Sequence, residues 1–272
     1  MCKNENYLIQ GSPNHPRSCH FYETHIHNMG IIEPSFLSIY KFYDIKKLKY
    51  VLTNKKLYLD RIQDSWEDKF ENFFMKEKFI VDNEDYSIVS ICRGVFGQSW
   101  TTLPESDALW RINSPDKNGV RIQTKAGKLI DATSVGDSSS YDTWYGRVIY
   151  DDQDVIERFV SEQCSILSTS ILRNLLPYSE FLKRREFEHE HEFRVIKILD
   201  EETSNKVEPY KRICFSIDPA DFIEGYLLDP RLSEAEFEKK KNLLRSLGAD
   251  IKKVSQSKLY QFEPIEIRMR TE

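Results

Sequence analysis

The stretch from Phe187 to Leu199 sets the chain's densest cluster of ionisable side chains on the front of a strongly apolar run. Read as an extended strand, it points Glu188, Glu190, Glu192 and Arg194 one way and His189, His191, Phe193 and Val195 the other. Carboxylates about 7 Å apart along one strand face repel, and a single arginine neutralises only one of them well. Such a row is either solvated, as an exposed strand end, or used. One use is a carboxylate pair acting as base and cation stabiliser while a glycosidic bond breaks through an oxocarbenium-like transition state. The other is a metal-dependent nuclease or phosphodiesterase built on Glu188, Glu190, Glu192 and a histidine. The strand alternation counts against that, because it turns His189 and His191 away from the glutamates. His25 and His27 are spaced for a metal but have no third ligand nearby in sequence.

The elements that must position these groups follow from periodicity and punctuation. Phe36 to Tyr43 reads as an aromatic-rich strand, with Asp44 capping a helix that carries Ile45, Leu48, Val51 and Leu52 on one face. Leu57 to Ile62 and Ser87 to Cys92 are further strands. Phe96 to Thr102 reads as a glycine-containing turn or strand edge, and Asp107 as the cap of a short helix holding Leu109, Trp110 and Ile112. Gly119 to Thr124 and Gly146 to Tyr150 read as strands, and Gly136 to Ser140 as a loop. A helical spacing runs from Asp154 to Leu176, ahead of Pro177. The basic run Lys183-Arg184-Arg185 stands just before the glutamates and hints at phosphate contact. Ile213 to Ile217 and Phe222 to Leu228 are strands, Ser233 with Glu236 is a capping box, and Ile251 to Val254 and Ile265 to Met269 are the last strands.

The 272 residues divide into an irregular arm over 1–35 and one α+β domain over 36–272, because strands fall in tandem rather than strictly alternating with helices. The net charge of -5 gives no global basic field, which speaks against tight non-specific nucleic-acid binding while leaving a local groove open. The five scattered cysteines never form a CxxC spacing, so reduced thiols and a cytoplasmic protein are expected. No apolar run approaches the roughly 18 residues that span a bilayer. GxGxxG, Walker-type, GxSxG and HExxH motifs are all missing, and with them the anchors of the common nucleotide-binding and hydrolytic folds.

The ordered series Tyr40-Lys41-Phe42, Leu57-Tyr58-Leu59, Asp68-Lys69-Phe70-Glu71, Ser99-Trp100-Thr101, Leu109-Trp110, Gly119-Val120, Val148-Ile149-Tyr150 and Glu190-His191-Glu192-Phe193-Arg194 resembles a bacterial family. That family is domain of unknown function twenty-nine seventy-one, and the resemblance runs from about Ser38 onward. Glu67 and Lys69 stand where the family usually carries Asn and Pro. More distantly, three landmarks resemble the ADP-ribosyltransferase superfamily: a polar or basic early strand (Tyr40-Lys41), a Ser-Thr-Ser-like strand edge (Ser99-Trp100-Thr101) and a late Glu-x-Glu (Glu190-His191-Glu192). Lys41 takes the place of the more usual Arg or His.

This resemblance implies an ADP-ribosyltransferase-like split mixed and antiparallel β core flanked by helices. It also implies NAD as substrate, and a macromolecular acceptor, protein or nucleic acid, in a toxin or phage-defence effector. Within it Glu192 would bond the nicotinamide ribose and stabilise the oxocarbenium, and Glu190 would orient or deprotonate the acceptor. Lys41 would meet the NAD phosphates, Ser99 would brace Glu192, and Trp100 or Trp110 would stack on a ring. The residues alone also allow plainer roles: Tyr40 and Trp110 as core, Lys41 as a solvated edge residue, Ser99 and Thr101 as edge hydroxyls, Arg194 as the partner of one glutamate. A non-catalytic nucleotide- or partner-binding module fits the same residues.

Overall fold

A computed structural model describes residues 35–66, 79–81, 83–86, 92–134, 141–158, 179–199, 201–207 and 211–269. The arm over 1–34, the Asp68–Glu71 motif, the Gly136–Ser140 loop, most of the strand read at Ser87–Cys92 and the helical run beyond Arg158 lie outside them.

Thirteen strands are described: β1 (Ser38–Asp44), β2 (Lys56–Arg61), β3 (Phe79–Val81), β4 (Glu84–Tyr86), β5 (Val95–Thr101), β6 (Gly119–Lys125), β7 (Tyr141–Arg147), β8 (Ile149–Asp151), β9 (Leu182–Arg184), β10 (Glu192–Leu199), β11 (Arg212–Ser216), β12 (Gly225–Leu228) and β13 (Val254–Gln256). Nine form one mixed sheet in the order β11-β2-β5-β1-β6-β12-β13, with β10 on β5 and β7 on β10. Every pairing in it is antiparallel except β12 with β13. With helices packed on this sheet the fold is α+β with a mixed sheet, as the interspersed elements predict.

The sheet divides at β5. That strand meets β1 only at Tyr40–Thr101 and β2 only at Asp60–Gly97 and Arg61–Phe96. Among the described residues Gln98, Ser99 and Trp100 therefore have no strand partner on that edge. Side chains fill the gap: Lys41 Nζ donates to the Ser99 carbonyl at 2.6 Å, and Gln98 Nε2 to the Tyr58 carbonyl at 2.9 Å. Buried backbone acceptors must find donors, and here the opening in the core recruits a lysine to supply one.

Local signals hold where chemistry is local. Asp44 accepts from Lys46 N at 2.8 Å and caps the helix Ile45–Asn54, which buries Leu48, Val51 and Leu52. Such a cap stabilises by about 1 kcal/mol. Ser233 and Glu236 form the expected capping box on the helix Glu234–Ser246, and Gly248 follows that helix at φ 89°.

Other expectations are corrected. Phe96 to Thr102 is no turn: Phe96 to Thr101 lie in β5, with β10 along one side and β1 and β2 on the other only near the two ends, so the strand-edge reading holds for Gln98 to Trp100 alone. Gly97 is there for close packing, since a Cβ would stand 2.8 Å from Ile196 Cδ1 and 2.9 Å from Ile62 Cδ1. The helix Asp107–Asn113 is capped by Ser106 rather than Asp107, which sits one residue inside and pairs with Arg111. Gly146 to Tyr150 divides at Val148 between β7 and β8, and Phe222 ends a short helix before β12 begins at Gly225. Ile251–Lys253 is a 3-10 turn ahead of β13, and Ile265 to Met269 forms no strand and pairs with none of the described residues, its apolar side chains exposed.

The largest correction falls on the glutamate stretch. Arg185–Glu190 is a 3-10 turn, His191 takes a left-handed conformation at φ 44°, and β10 starts only at Glu192. Three carboxylates in a row on one strand face would repel, and the turn relieves that by sending Glu188 and His189 into solvent. His191 is exposed as well, so neither histidine packs against the back of the strand.

A candidate carboxylate site at the mouth of the split sheet

The turn is held by the end of β5. Thr101 Oγ1 donates to the Glu190 carbonyl at 2.7 Å, while Thr102 donates to the His191 carbonyl from its backbone N at 2.9 Å and from Oγ1 at 3.1 Å. A non-glycine residue in the left-handed region costs about 1–2 kcal/mol, and these bonds offset that cost. The result places the carboxylates of Glu190 and Glu192 on one cation.

That cation is Lys183. Its Nζ lies 2.5 Å from Glu190 Oε2 and 2.8 Å from Glu192 Oε1, with the lysine side chain only 6% exposed. It is delivered by the parallel ribbon of β8 and β9, in which Tyr150 pairs with Lys183. Tyr150 also contributes, its hydroxyl accepting from Glu192 N at 2.8 Å. The second Glu192 oxygen accepts from Arg194 Nε at 2.5 Å. Arg194 in turn donates to the Glu180 carbonyl at 2.6 Å and lies over the Trp66 ring at 4.1 Å, so it is a fixed structural partner of Glu192.

The two carboxyls are driven apart electrostatically. Burial and a hydrogen bond with Glu192 raise Glu190 from 4.5 to about 7, against the pull of Lys183. Burial also opposes the Glu192 charge, but Arg194, Glu190 and Lys183 outweigh it and hold that carboxyl well below its ordinary range. One carboxylate is thereby kept ionised while its neighbour is poised near neutrality, the division of labour that acid-base chemistry on two carboxyls requires.

The site opens into a cavity of about 230 Å³ lined by Tyr40, Lys41, Phe42, Ser99, Trp100, Thr101 and both glutamates, with Leu109, Ile112 and Asn113 from the neighbouring helix. A second cavity, about 520 Å³, shares the Lys41, Phe42 and Ser99 wall and is bordered by Lys46, Lys47, Tyr50, Tyr58, Trp66 and Arg212. Lys41 stands between them on an interior strand, not at a sheet edge. Desolvation lowers its pKa to about 8, an ammonium that an anion would favour.

The sequence landmarks thus come together, with different detail. Thr101 pairs with both Glu192 and Tyr40, while Ser99 pairs with Arg194. No hydrogen bond joins the Ser99 side chain to Glu192, whose bracing comes from Lys183 and Arg194. Trp100 is almost wholly buried, its Nε1 bonded to Gln98. Trp110 does not line the cavity; it is buried behind Phe42, edge to face at 4.9 Å, and donates to Glu105. It offers no free face for stacking. Arg121 lies over the Tyr40 ring at 4.5 Å.

Lys183 and Tyr150 are the residues that sequence reading missed. The run Lys183-Arg184-Arg185 reads as a hint of phosphate contact, yet on a strand the middle of Leu182-Lys183-Arg184 points opposite to its neighbours. That alternation was the available signal. For a metal, the donor set is poor: among the described residues no group of three or more His, Cys, Asp and Glu could hold an ion, and both carboxylates already receive an ammonium.

No family model matches the chain, so the resemblance to the bacterial family rests on the quoted motifs, and no curated protein matches it either. Among solved structures the chain is similar to Thermus sp. 2.9 DarT in complex with NAD+, at 13% identity and TM-score 0.38, over 84% of this chain and 97% of that one. It is also similar to Thermus sp. 2.9 DarT in complex with ADP-ribosylated ssDNA, at 12% identity and TM-score 0.34, over 78% of this chain and 89% of that one.

Proposed function

We propose that the chain transfers ADP-ribose from NAD to a macromolecular acceptor, with Glu192 and Glu190 as the reacting carboxyls. One observation carries this reading: three landmarks far apart in sequence, Tyr40-Lys41, Ser99-Thr101 and Glu190/Glu192, line a single cavity at the division of the sheet. The 230 Å³ cavity is smaller than the roughly 300–1,000 Å³ usual for ligand pockets, so a dinucleotide must also use the adjoining one. Lys41 lines both cavities, and in this reading it meets the diphosphate.

In this account the bond between the ribose C1′ and nicotinamide breaks, and its electron pair leaves with nicotinamide. Glu192 stabilises the positive charge left on the sugar. Each of its oxygens has one cationic partner and a remaining lone pair for a ribose hydroxyl. An acceptor lone pair then bonds to C1′, and its proton passes to Glu190. The bland alternative, a non-catalytic nucleotide-binding module, uses the same cavity but gives no reason to keep one carboxyl ionised and the other near pH 7.

Because Glu190 must be deprotonated to accept a proton and titrates at about 7, transfer is expected to rise about tenfold per pH unit below 7 and to level off above it. Nicotinamide released from NAD in the presence of cell extract, followed from pH 5 to 9, measures this. Glu190→Gln should lower the plateau and remove the inflection. Absence of release at every pH sinks the assignment. An inflection that persists in Glu190→Gln removes Glu190 as the base.

A further inference from the structure

The segment Phe262 to Met269 follows β13 without regular secondary structure and with Phe262 83%, Ile265 78%, Ile267 75% and Met269 87% exposed. Its sequence alternates strictly from Ile265 to Met269, with Glu266 and Arg268 between the apolar positions. That is the pattern of a half-buried strand, yet it pairs with nothing among the described residues of its own chain. A row of open backbone donors and acceptors beside exposed apolar side chains is a template for another strand.

We propose that this segment pairs with the same segment of a second copy, antiparallel and two-fold about Ile267. The charges select that register. Centred on Ile267, Glu266 of each copy faces Arg268 of the other, and Ile265 faces Met269, so all the apolar side chains share one face. Centring one residue earlier sets Glu266 against itself, and one residue later sets Arg268 against itself. A half-step shift puts apolar side chains opposite charged ones. Pro264, lacking an N–H, ends the ribbon, and the two-fold sets one such proline at each end. An isolated two-stranded ribbon is marginal in water, so its apolar face must close against a surface, and Phe262 with the part-exposed Leu259 and Tyr260 lies immediately upstream. The contact is small, which makes the dimer weak and concentration-dependent.

Sedimentation of the full chain up to roughly 0.5 mM is expected to show monomer passing to dimer. Glu266→Arg sets like charges opposite one another in both cross-strand pairs and should weaken association roughly fivefold to tenfold. Adding Arg268→Glu to it restores opposite charges and with them wild-type association. All three proteins should keep the same circular dichroism spectrum, because both positions are on the exposed tail. A chain that stays monomeric across the series overturns the proposal. So does association indifferent to Glu266→Arg, or a double variant that fails to recover, since either places the contact elsewhere.

Discussion

Glu192→Gln is expected to lower transfer of ADP-ribose by about 100- to 1,000-fold, the usual cost of removing one preorganised group aimed at charge that develops in a transition state. The amide keeps the size and one acceptor oxygen of the carboxylate but loses the negative charge that faces the forming oxocarbenium. It also leaves Lys183 and Arg194, which now bond the two carboxylate oxygens at 2.8 and 2.5 Å, with one acceptor between them. Some stability must therefore go with activity, and the two are separated by a second variant. Glu192→Asp keeps the charge and draws the carboxylate back by about one methylene; a displacement of about 1 Å in a positioned group costs on the order of 100-fold. The expected pattern is a stable, charged and nearly inactive Asp variant beside a less stable, inactive Gln variant. Rates from single-turnover nicotinamide release, paired with urea melts, read both. Unchanged transfer in Glu192→Gln removes this residue from the chemistry.

Lys183→Met should be the most destabilising single change at the site. Met fills a similar volume but carries no charge, leaving Glu190 and Glu192 together in a largely buried setting with Arg194 as the remaining neutralising partner. Breaking a buried pair by removing one partner costs about 3–5 kcal/mol, and at 6% exposure solvent screens Lys183 little. The pH dependence has a definite sign. Glu192 is held below its unfolded value, so its contribution is present above the ordinary carboxylate range and lost in acid. Glu190 is raised from 4.5 to about 7, so its contribution is full below 4.5 and is lost as pH rises to 7. Without the ammonium both carboxyls bind protons more tightly, and the cost of Lys183→Met must shrink as pH falls from 7 toward 4.5. Urea unfolding at those two pH values checks this. An equal cost at both would make the lysine a packing residue.

The chain shows where one-dimensional reading works and where it stops. Asp44, Ser233 and Glu236 announce helix starts because a cap bonds groups two or three residues away. The Glu190/Glu192 pair was legible as two acids of like charge at the front of an apolar strand, whereas a shared site with Tyr40, Ser99 and Thr101 was legible only as what the ADP-ribosyltransferase resemblance implies. Gly97 misled, since a glycine that lets Ile62 and Ile196 approach looks in sequence like one that makes a turn. Lys183 was hidden by its basic neighbours: its partners are seven and nine residues on, past a 3-10 turn that no periodicity announces. For Trp110 the sequence left stacking and core burial both open, because aromatic type is visible in sequence while burial behind Phe42 is a tertiary fact.

Crystals of Glu192→Gln soaked with NAD decide whether these residues share one dinucleotide site. The nicotinamide ribose is expected within hydrogen-bond reach of residue 192, the diphosphate beside Lys41, and the dinucleotide extending from the smaller cavity into the larger. NAD bound away from Lys41 and residue 192, or no NAD at saturating concentration in an otherwise unchanged fold, would contradict it.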